Sequence, residues 1–383
     1  MSSDPTEMLE RVRAMRPAIA AAAPEGAQER RVPPSIVGAL RDAGVFRALQ
    51  PKRWGGFEFS PTALYDVEMA VAEGDMSTAW LVGVLGIIPW AVALFDDRAA
   101  EEIWGRDDRT LICCALRRSG QAVPVEGGFR LSGRWRYASG CAHAGWALLG
   151  GGAGPPPEGD YLMLVPRRDF EIVDTWHVAG LKATGSHDVI VKDIFIPQHR
   201  THRMTEMFDC RGPGQTVNAS PLYRLPFGLV FGGGVSNTAI GGLQGMLDCL
   251  LADLRRRSGP SRPDPDLALV CAEAATVIDE AKALIARNFA RLAAYAQRDV
   301  VPPIEERLQV KYQLSLNTER CRRAANRLFE ASGSSGLHDD YPYGRIVADI
   351  TAARQHITNN VALHARDWGQ VMLGHERRHD FML

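Results

Sequence analysis

Three short runs in this chain have the residue types and spacing that chemistry at a bound ring would need. The first is Arg134-Trp135-Arg136-Tyr137-Ala138-Ser139-Gly140-Cys141-Ala142-His143. The second is Val178-Ala179-Gly180-Leu181-Lys182-Ala183-Thr184-Gly185-Ser186-His187-Asp188. Both are turn-like clusters of small and hydroxyl residues, followed by the strand-like runs Trp146-Ala147-Leu148-Leu149 and Val189-Ile190-Val191. Backbone N–H groups and hydroxyls at such turns can bind the polar edge of a planar, anionic ligand. The third run is Ala353-Arg354-Gln355-His356-Ile357-Thr358-Asn359-Asn360. Its His356 carries the one side chain whose ordinary pKa lets it exchange a proton near neutrality. Taken alone, each has a plain structural reading: two β-turns and a histidine on a helix surface.

Other patterns carry less. His375-Glu376-Arg377-Arg378-His379 matches the zinc-protease pattern, but it lies at the end of the sequence given and no third ligand is suggested, so no metal site is expected. Gly232-Gly233-Gly234 and Gly241-Gly242 follow no predicted strand, and close helix packing explains them better than a dinucleotide loop. Gly333-Ser334-Ser335-Gly336 lacks the preceding strand of a nucleophile elbow.

The elements that must hold these residues fall into three zones. With 383 residues the chain can bury a large core, and 46% hydrophobic with 23% charged residues is ordinary for a globular protein. A net charge of -1 gives no electrostatic case for nucleic acid or an anionic membrane surface. No stretch is long enough for a membrane span, and Met1 to Pro5 does not open like a signal peptide. The seven cysteines form no C-x-x-C pair and read as reduced thiols of a cytoplasmic protein. Residues 1–109 read helical: Met8 to Ala23, Pro33 to Gly44, Ser60 to Glu73, Ser77 to Phe95 with a bend or break at Pro89, and Ala99 to Trp104. Residues 110–222 show short apolar runs cut by Gly, Pro and Asp, with a hairpin turn at Gly127-Gly128 and a Gly/Pro loop over Gly150 to Gly159. Residues 223–383 return to helices: an amphipathic one over Leu267 to Phe289, one from Pro302 to Phe329, a loop to Tyr343, and a last helix to Asn360.

Two hydroxyl-bearing turns in a β-region flanked by helices resemble the acyl-CoA dehydrogenase fold, from about Val32 to the C-terminus. The resemblance is strongest to its two-component, reduced-flavin-dependent monooxygenases. It implies an α+β architecture: an N-terminal helical domain, a central β-barrel domain and a C-terminal four-helix bundle. In this family Tyr137, Ala138, Ser139, Thr184, Gly185 and Ser186 would contact the flavin, with Ser139 near N(5). Acyl-CoA dehydrogenases carry a Tyr-Glu-Gly motif near the C-terminus whose Glu is the base. Aligned through Arg345 and Asp349, that Glu falls on Ile357, which cannot be a base. Instead His356 and Asn359 resemble the His-x-x-Asn segment of the monooxygenase branch, where the His points at the flavin C(4a).

The resemblance therefore implies the oxygenase component of a two-component flavin-dependent monooxygenase. It would use reduced FMN (with FADH2 possible) and O2, and act through a flavin C(4a)-hydroperoxide that His356 stabilises. A separate NAD(P)H flavin reductase would supply the flavin, since no dinucleotide fingerprint is present. Ile88, Trp90, Cys114 and His143 would line the substrate pocket. Ile88 stands where phenol-hydroxylating members carry a His, and Cys113-Cys114 stand near a usual Ser, so a simple phenol would lose two polar partners. A larger aromatic or polycyclic, natural-product-like substrate fits better. The alternatives are an acyl-CoA dehydrogenase or oxidase, an N-oxygenase of an amino substrate, and a catalytically silent binding protein on the same fold. The family also implies a homotetramer built through the bundle, with the apolar face of Leu267 to Phe289 covered between subunits.

Overall fold

The N-terminal helices start where the sequence supplies a cap or a proline. The structure, a computed structural model, describes residues 4–258 and 265–376. Asp4 accepts the Thr6 N–H at the head of α1 (Pro5–Glu29), and Pro34 opens α2 (Pro34–Asp42). Ser60 caps α3 (Pro61–Ala72), and Asp75 caps α4 (Met76–Val92) through the Thr78 N–H at 2.8 Å. Every side chain of α4 is buried, as its apolar residues all round demand. The break expected at Pro89 is absent, and α4 continues to Val92. Pro89 falls in the last turn, where the one lost backbone bond interrupts little helix. α5 (Asp97–Trp104) completes this part.

The β-region comprises β1 (Ile112–Val125), β2 (Gly128–Ala138), β3 (Trp146–Gly152), β4 (Asp160–Pro166), β5 (Glu171–Val173), β6 (His187–Pro197) and β7 (Thr201–Arg203). They form one seven-stranded sheet in the order β5-β6-β2-β1-β3-β4-β7, whose end strands do not pair with each other, so the barrel-like region is open. β1 pairs antiparallel with β2 through a turn at Glu126-Gly127 and parallel with β3, with a register break between Ala115 and Gly120. Such an irregularity bends the strand, letting one strand serve both halves of the sheet. Gly150 to Gly152, read above as part of a loop, pair with Leu162 to Asp160 as the end of β3. Their missing side chains hid the strand's alternation.

Beyond α6 (Met204–Phe208) come α7 (Phe227–Ser236), α8 (Thr238–Ser258), α9 (Pro265–Gln297), α10 (Ile304–Ala331), α11 (Tyr343–Arg354) and α12 (Val361–Met372). α10 packs against α8, α9, α11 and α12. The glycine run of α7 permits backbone contact with α4: a Cβ on Gly83 would collide with the Gly234 carbonyl oxygen, and one on Gly234 with Ile87. The apolar stripe of α9, through Cys271, Ala274, Ile278, Ala281, Ile285 and Phe289, is buried within the single chain. The last helix does not run to Asn360 as one piece. α11 stops at Arg354, a 3-10 turn spans Ile357–Asn359, and α12 follows, capped by the Asn360 side chain on the Leu363 N–H at 3.2 Å. Side chains of His, Thr and Asn that bind nearby backbone compete with helix continuation. His375 and Glu376 follow the end of α12, and His379 lies outside the described residues. No helix among the described residues is long and apolar enough to cross a membrane.

Candidate active site

β2 and β6 are neighbours, with Ala138 opposite His187, so the turn leaving β2 and the turn entering β6 lie side by side. Both turns pass through the left-handed region, at Tyr137 (φ 69°), Gly140 (φ 71°), Leu181 (φ 53°) and Gly185 (φ 52°). The Gly140 N–H donates to the Thr184 carbonyl at 2.9 Å, and the Cys141 thiol reaches the Gly185 carbonyl at 3.6 Å.

Their hydroxyls join into one chain. Ser139 Oγ lies 2.7 Å from Ser186 Oγ, which lies 2.7 Å from Thr184 Oγ1. Thr184 donates to the Leu181 carbonyl at 2.9 Å, and the Trp80 indole N–H donates to Ser139 Oγ at 3.1 Å. Each hydroxyl has one hydrogen to give. Because Thr184 spends its hydrogen on Leu181, Ser186 must donate to Thr184, and Ser139 must donate to Ser186. Ser139 therefore has no hydrogen left for a ligand and keeps only a lone pair. Chains ordered in one direction strengthen each link.

His356 sits at the break after α11, facing Trp80 with ring centroids 5.6 Å apart and Phe231 at 6.1 Å. Its Nδ1 takes the Thr358 N–H at 3.3 Å and lies 2.8 Å from Thr358 Oγ1. A backbone N–H can only donate, so Nδ1 is an acceptor and the ring proton of the neutral imidazole is on Nε2. The residue is partly exposed, yet burial of the ring pulls its pKa down to about 4. At neutral pH His356 is a neutral Nε2–H donor, which corrects the expectation of a group exchanging its proton near pH 7. Asn359 pins the break, donating to the Ala353 carbonyl at 2.9 Å and accepting from Ser236 Oγ at 2.8 Å.

The expected substrate residues part company. Ile88 is fully buried on α4, and Cys114 is buried on β1, with burial pushing its thiol up to about 12. Trp90 is core: its indole N–H is held by the Leu222 carbonyl at 2.7 Å and its ring stacks on Phe227. His143 lies beside Arg31 and Val32, where burial first and then the Arg31 charge lower its pKa to about 4. It lies in the turn that carries Ser139, its backbone N–H donating to the Gly140 carbonyl at 2.9 Å. Tyr137 is exposed and meets Trp176 edge-on at 5.9 Å. Sequence reading missed Trp80, Phe231, Thr358 and Asp349. Trp80 is one of two indoles on an apolar helix, with Trp90, and nothing in the sequence ties it to Ser139.

A reduced flavin is a planar ring with N–H groups and carbonyls along one edge. The turns fit it: an acceptor at Ser139, a donor at His356 Nε2 with no protein partner among the described residues, and aromatic faces beside both. A carboxylate base for thioester chemistry is not found at the family position, where Ile357 is 56% exposed.

Comparison with known proteins agrees with this geometry. A family model described as acyl-CoA dehydrogenase, C-terminal domain, matches residues 234–361. The flavin-dependent monooxygenase, oxygenase subunit HsaA, of Rhodococcus jostii (strain RHA1) is 33% identical over 362 residues, covering 92% of this chain and 94% of that protein. The oxygenase component of the FADH(2)-dependent resorcinol hydroxylase of Rhizobium sp. is 30% identical over 366 residues, 91% of this chain and 90% of that one. The crystal structure of 3-HSA hydroxylase from Rhodococcus sp. RHA1 superposes with a TM-score of 0.94 at 32% identity, over 98% of this chain and 99% of that one. With such identity along nearly its whole length, and with no base where a dehydrogenase would carry one, this chain belongs to the flavin-dependent monooxygenase oxygenase components, on the acyl-CoA dehydrogenase fold.

Proposed function

We propose that this chain hydroxylates an aromatic or polycyclic small molecule, using reduced FMN or FADH2 delivered by a separate NAD(P)H flavin reductase in the cytoplasm. The observation that carries the reading is the one-directional hydroxyl chain from Trp80, which packs against His356, to the Leu181 carbonyl. Bound reduced flavin supplies the electrons that activate O2 for transfer of one oxygen atom. The chain's own residues do the rest. Ser139 offers a lone pair, which suits a ring N–H of reduced flavin and not the bare nitrogen acceptor of the oxidised ring. Ser186 and Thr184 hold Ser139 in that orientation. His356, fixed by Thr358 as the Nε2–H tautomer, donates a hydrogen bond to an oxygen at the ring. Tyr137, Ala138 and Gly185 shape the turns against the ring. Ile88 and Cys114 give the substrate side an apolar wall that excludes water, consistent with a larger aromatic than a simple phenol.

A homotetramer is part of this proposal. Its support is exposed apolar side chains at Ile357, Met372 and Leu373 near the C-terminal helices, since the α9 stripe is already covered within the chain. Light scattering tests it, and a monomer at micromolar concentration sinks it.

The functional test mixes the protein anaerobically with FMNH2 or FADH2, then with O2 and a panel of aromatic substrates. The expected result is hydroxylated product, and no oxidation of NADH until a reductase is added. A tightly bound oxidised FAD that an acyl-CoA reduces would overturn the reading.

A further inference from the structure

The hydroxyl chain ends at the Leu181 carbonyl, and what holds Leu181 lies outside both turns. Asp349 on α11 is buried, and its Oδ1 accepts the Leu181 N–H at 2.6 Å. A Cβ on Gly180 would collide with the Ala348 carbonyl oxygen, so the turn lies directly on α11. Leu181 adopts φ 53°, a conformation that disfavours a residue with a side chain and persists only where its surroundings hold it. On α11, Arg345 lies one helical turn before Asp349 and faces the same way. Arg345 Nη1 donates to Asp75 Oδ1 at 2.6 Å. The other Asp75 oxygen takes the Thr78 N–H at 2.8 Å and its hydroxyl at 2.7 Å, capping the helix that carries Trp80. One face of α11 thus grips both ends of the hydroxyl chain: Leu181 at one end and the root of the Trp80 helix at the other.

We propose that Arg345 and Asp349 are positioning residues for the flavin. They fix the spacing between α4 and the Leu181-to-Ser186 turn, so that Ser139 stays an acceptor. The inference rests on the reading of this site as the flavin site. Neither residue touches the ring. Both act through Leu181 and Asp75.

The groups facing Asp349 are Asp75 on α4, Arg345 on its own helix, and Lys182 with the Leu181 N–H on the turn. Burial, then the Asp75 carboxylate, raise the Asp349 pKa to about 7, against the Leu181 N–H, Arg345 and Lys182. Its charge is present above that pH and lost below it. A charged acceptor holds an N–H more tightly than a neutral one, so the grip on Leu181 loosens as pH falls.

The test titrates the full chain anaerobically with FMNH2 at pH 6 and pH 8, and follows amide hydrogen exchange over residues 180–186 without flavin. Asp349→Ala should weaken FMNH2 binding at pH 8 by about tenfold, the worth of one lost charge-assisted hydrogen bond. It should also speed exchange at Leu181 and Thr184 while leaving β3 and β4 unchanged. Asp349→Asn keeps an uncharged acceptor. It should bind within about threefold of the parent at pH 6 and lack the parent's extra tightening at pH 8. The difference between parent and variant removes the flavin's own ionisation. Asp349→Ala binding and exchanging like the parent would overturn the inference. So would an Asn variant that keeps the parent's pH dependence. A parent that binds no FMNH2 would overturn the flavin reading, and this inference with it.

Discussion

At the end of the site proposed to face the flavin, each hydroxyl has a partner and a direction, from the Trp80 indole through Ser139, Ser186 and Thr184 to the Leu181 carbonyl. At the end proposed to face the substrate, Ile88 and Cys114 are buried and offer no strong donor or acceptor. The difference lies in what each end must recognise. A flavin has fixed polar atoms, so its end needs particular residues at particular atoms. An apolar aromatic ring needs volume and dryness, which many residue sets supply.

The sharpest way to break this comparison is to strike what both ends share. Gly83→Ala puts a methyl into the Gly234 carbonyl across the α4–α7 contact. Overpacking costs about 1–3 kcal/mol, and a backbone obstacle places this case at or above the top of that range. Urea unfolding should show it, with flavin and substrate binding lost together. A variant as stable as the parent would mean the two ends do not share a frame.

Next in size is Ile88→His, which imports a polar group into the apolar end. An unpartnered buried imidazole should cost about 2 kcal/mol of stability. A phenol that supplies the partner should restore part of it as a rise in Tm. No phenol-dependent rise would place Ile88 away from the substrate.

His356→Ala should leave flavin affinity within about threefold and cut hydroxylated product per reduced flavin by about tenfold, with hydrogen peroxide rising to match. Unchanged coupling would make His356 a bystander. Ser186→Ala is subtler, because it frees the Ser139 hydrogen. Oxidised FMN should bind more tightly by about threefold, with FMNH2 binding unchanged or weaker, within the 0.5–1.5 kcal/mol of one hydrogen bond. Equal shifts for both flavins would refute the direction assigned to the hydroxyl chain.

The last effect is on pH. His356 has a folded pKa of about 4, below the ordinary 6.5, so it resists protonation in the folded state. Its contribution is fully present above pH 6.5 and is lost as pH falls towards 4, because the unfolded chain then binds the proton first. His143 acts in the same direction. His356→Ala should flatten part of the stability loss between pH 6.5 and 5, and a curve with the parent's slope would contradict the buried ring.

Much of this was legible in the sequence, for physical reasons. Prolines, caps and apolar periodicity marked α2, α3 and α4, and the hydroxyl residues of both turns stood out between strands. The glycines of β3 concealed a strand because they have no side chains to alternate. The end of α11 was read too late because a His-Ile-Thr-Asn run can continue a helix, and only the bonds of His356, Asn359 and Asn360 stop it. Trp80 and Asp349 were invisible as site residues. Their partners, Ser139 and Leu181, are distant in sequence, and no local pattern encodes a long-range hydrogen bond.

The bare-backbone meeting of α4 and α7 also bears on how this enzyme can change. Helices already touching at Gly83 and Gly234 have no slack to slide closer, and a carbon added at Gly83 meets the backbone of the other helix. New substrates must therefore be reached by exchanging side chains along a rigid wall, one residue at a time. A directed-evolution campaign should find its gains at positions such as Ile88 and Cys114, and should find Gly83 immovable.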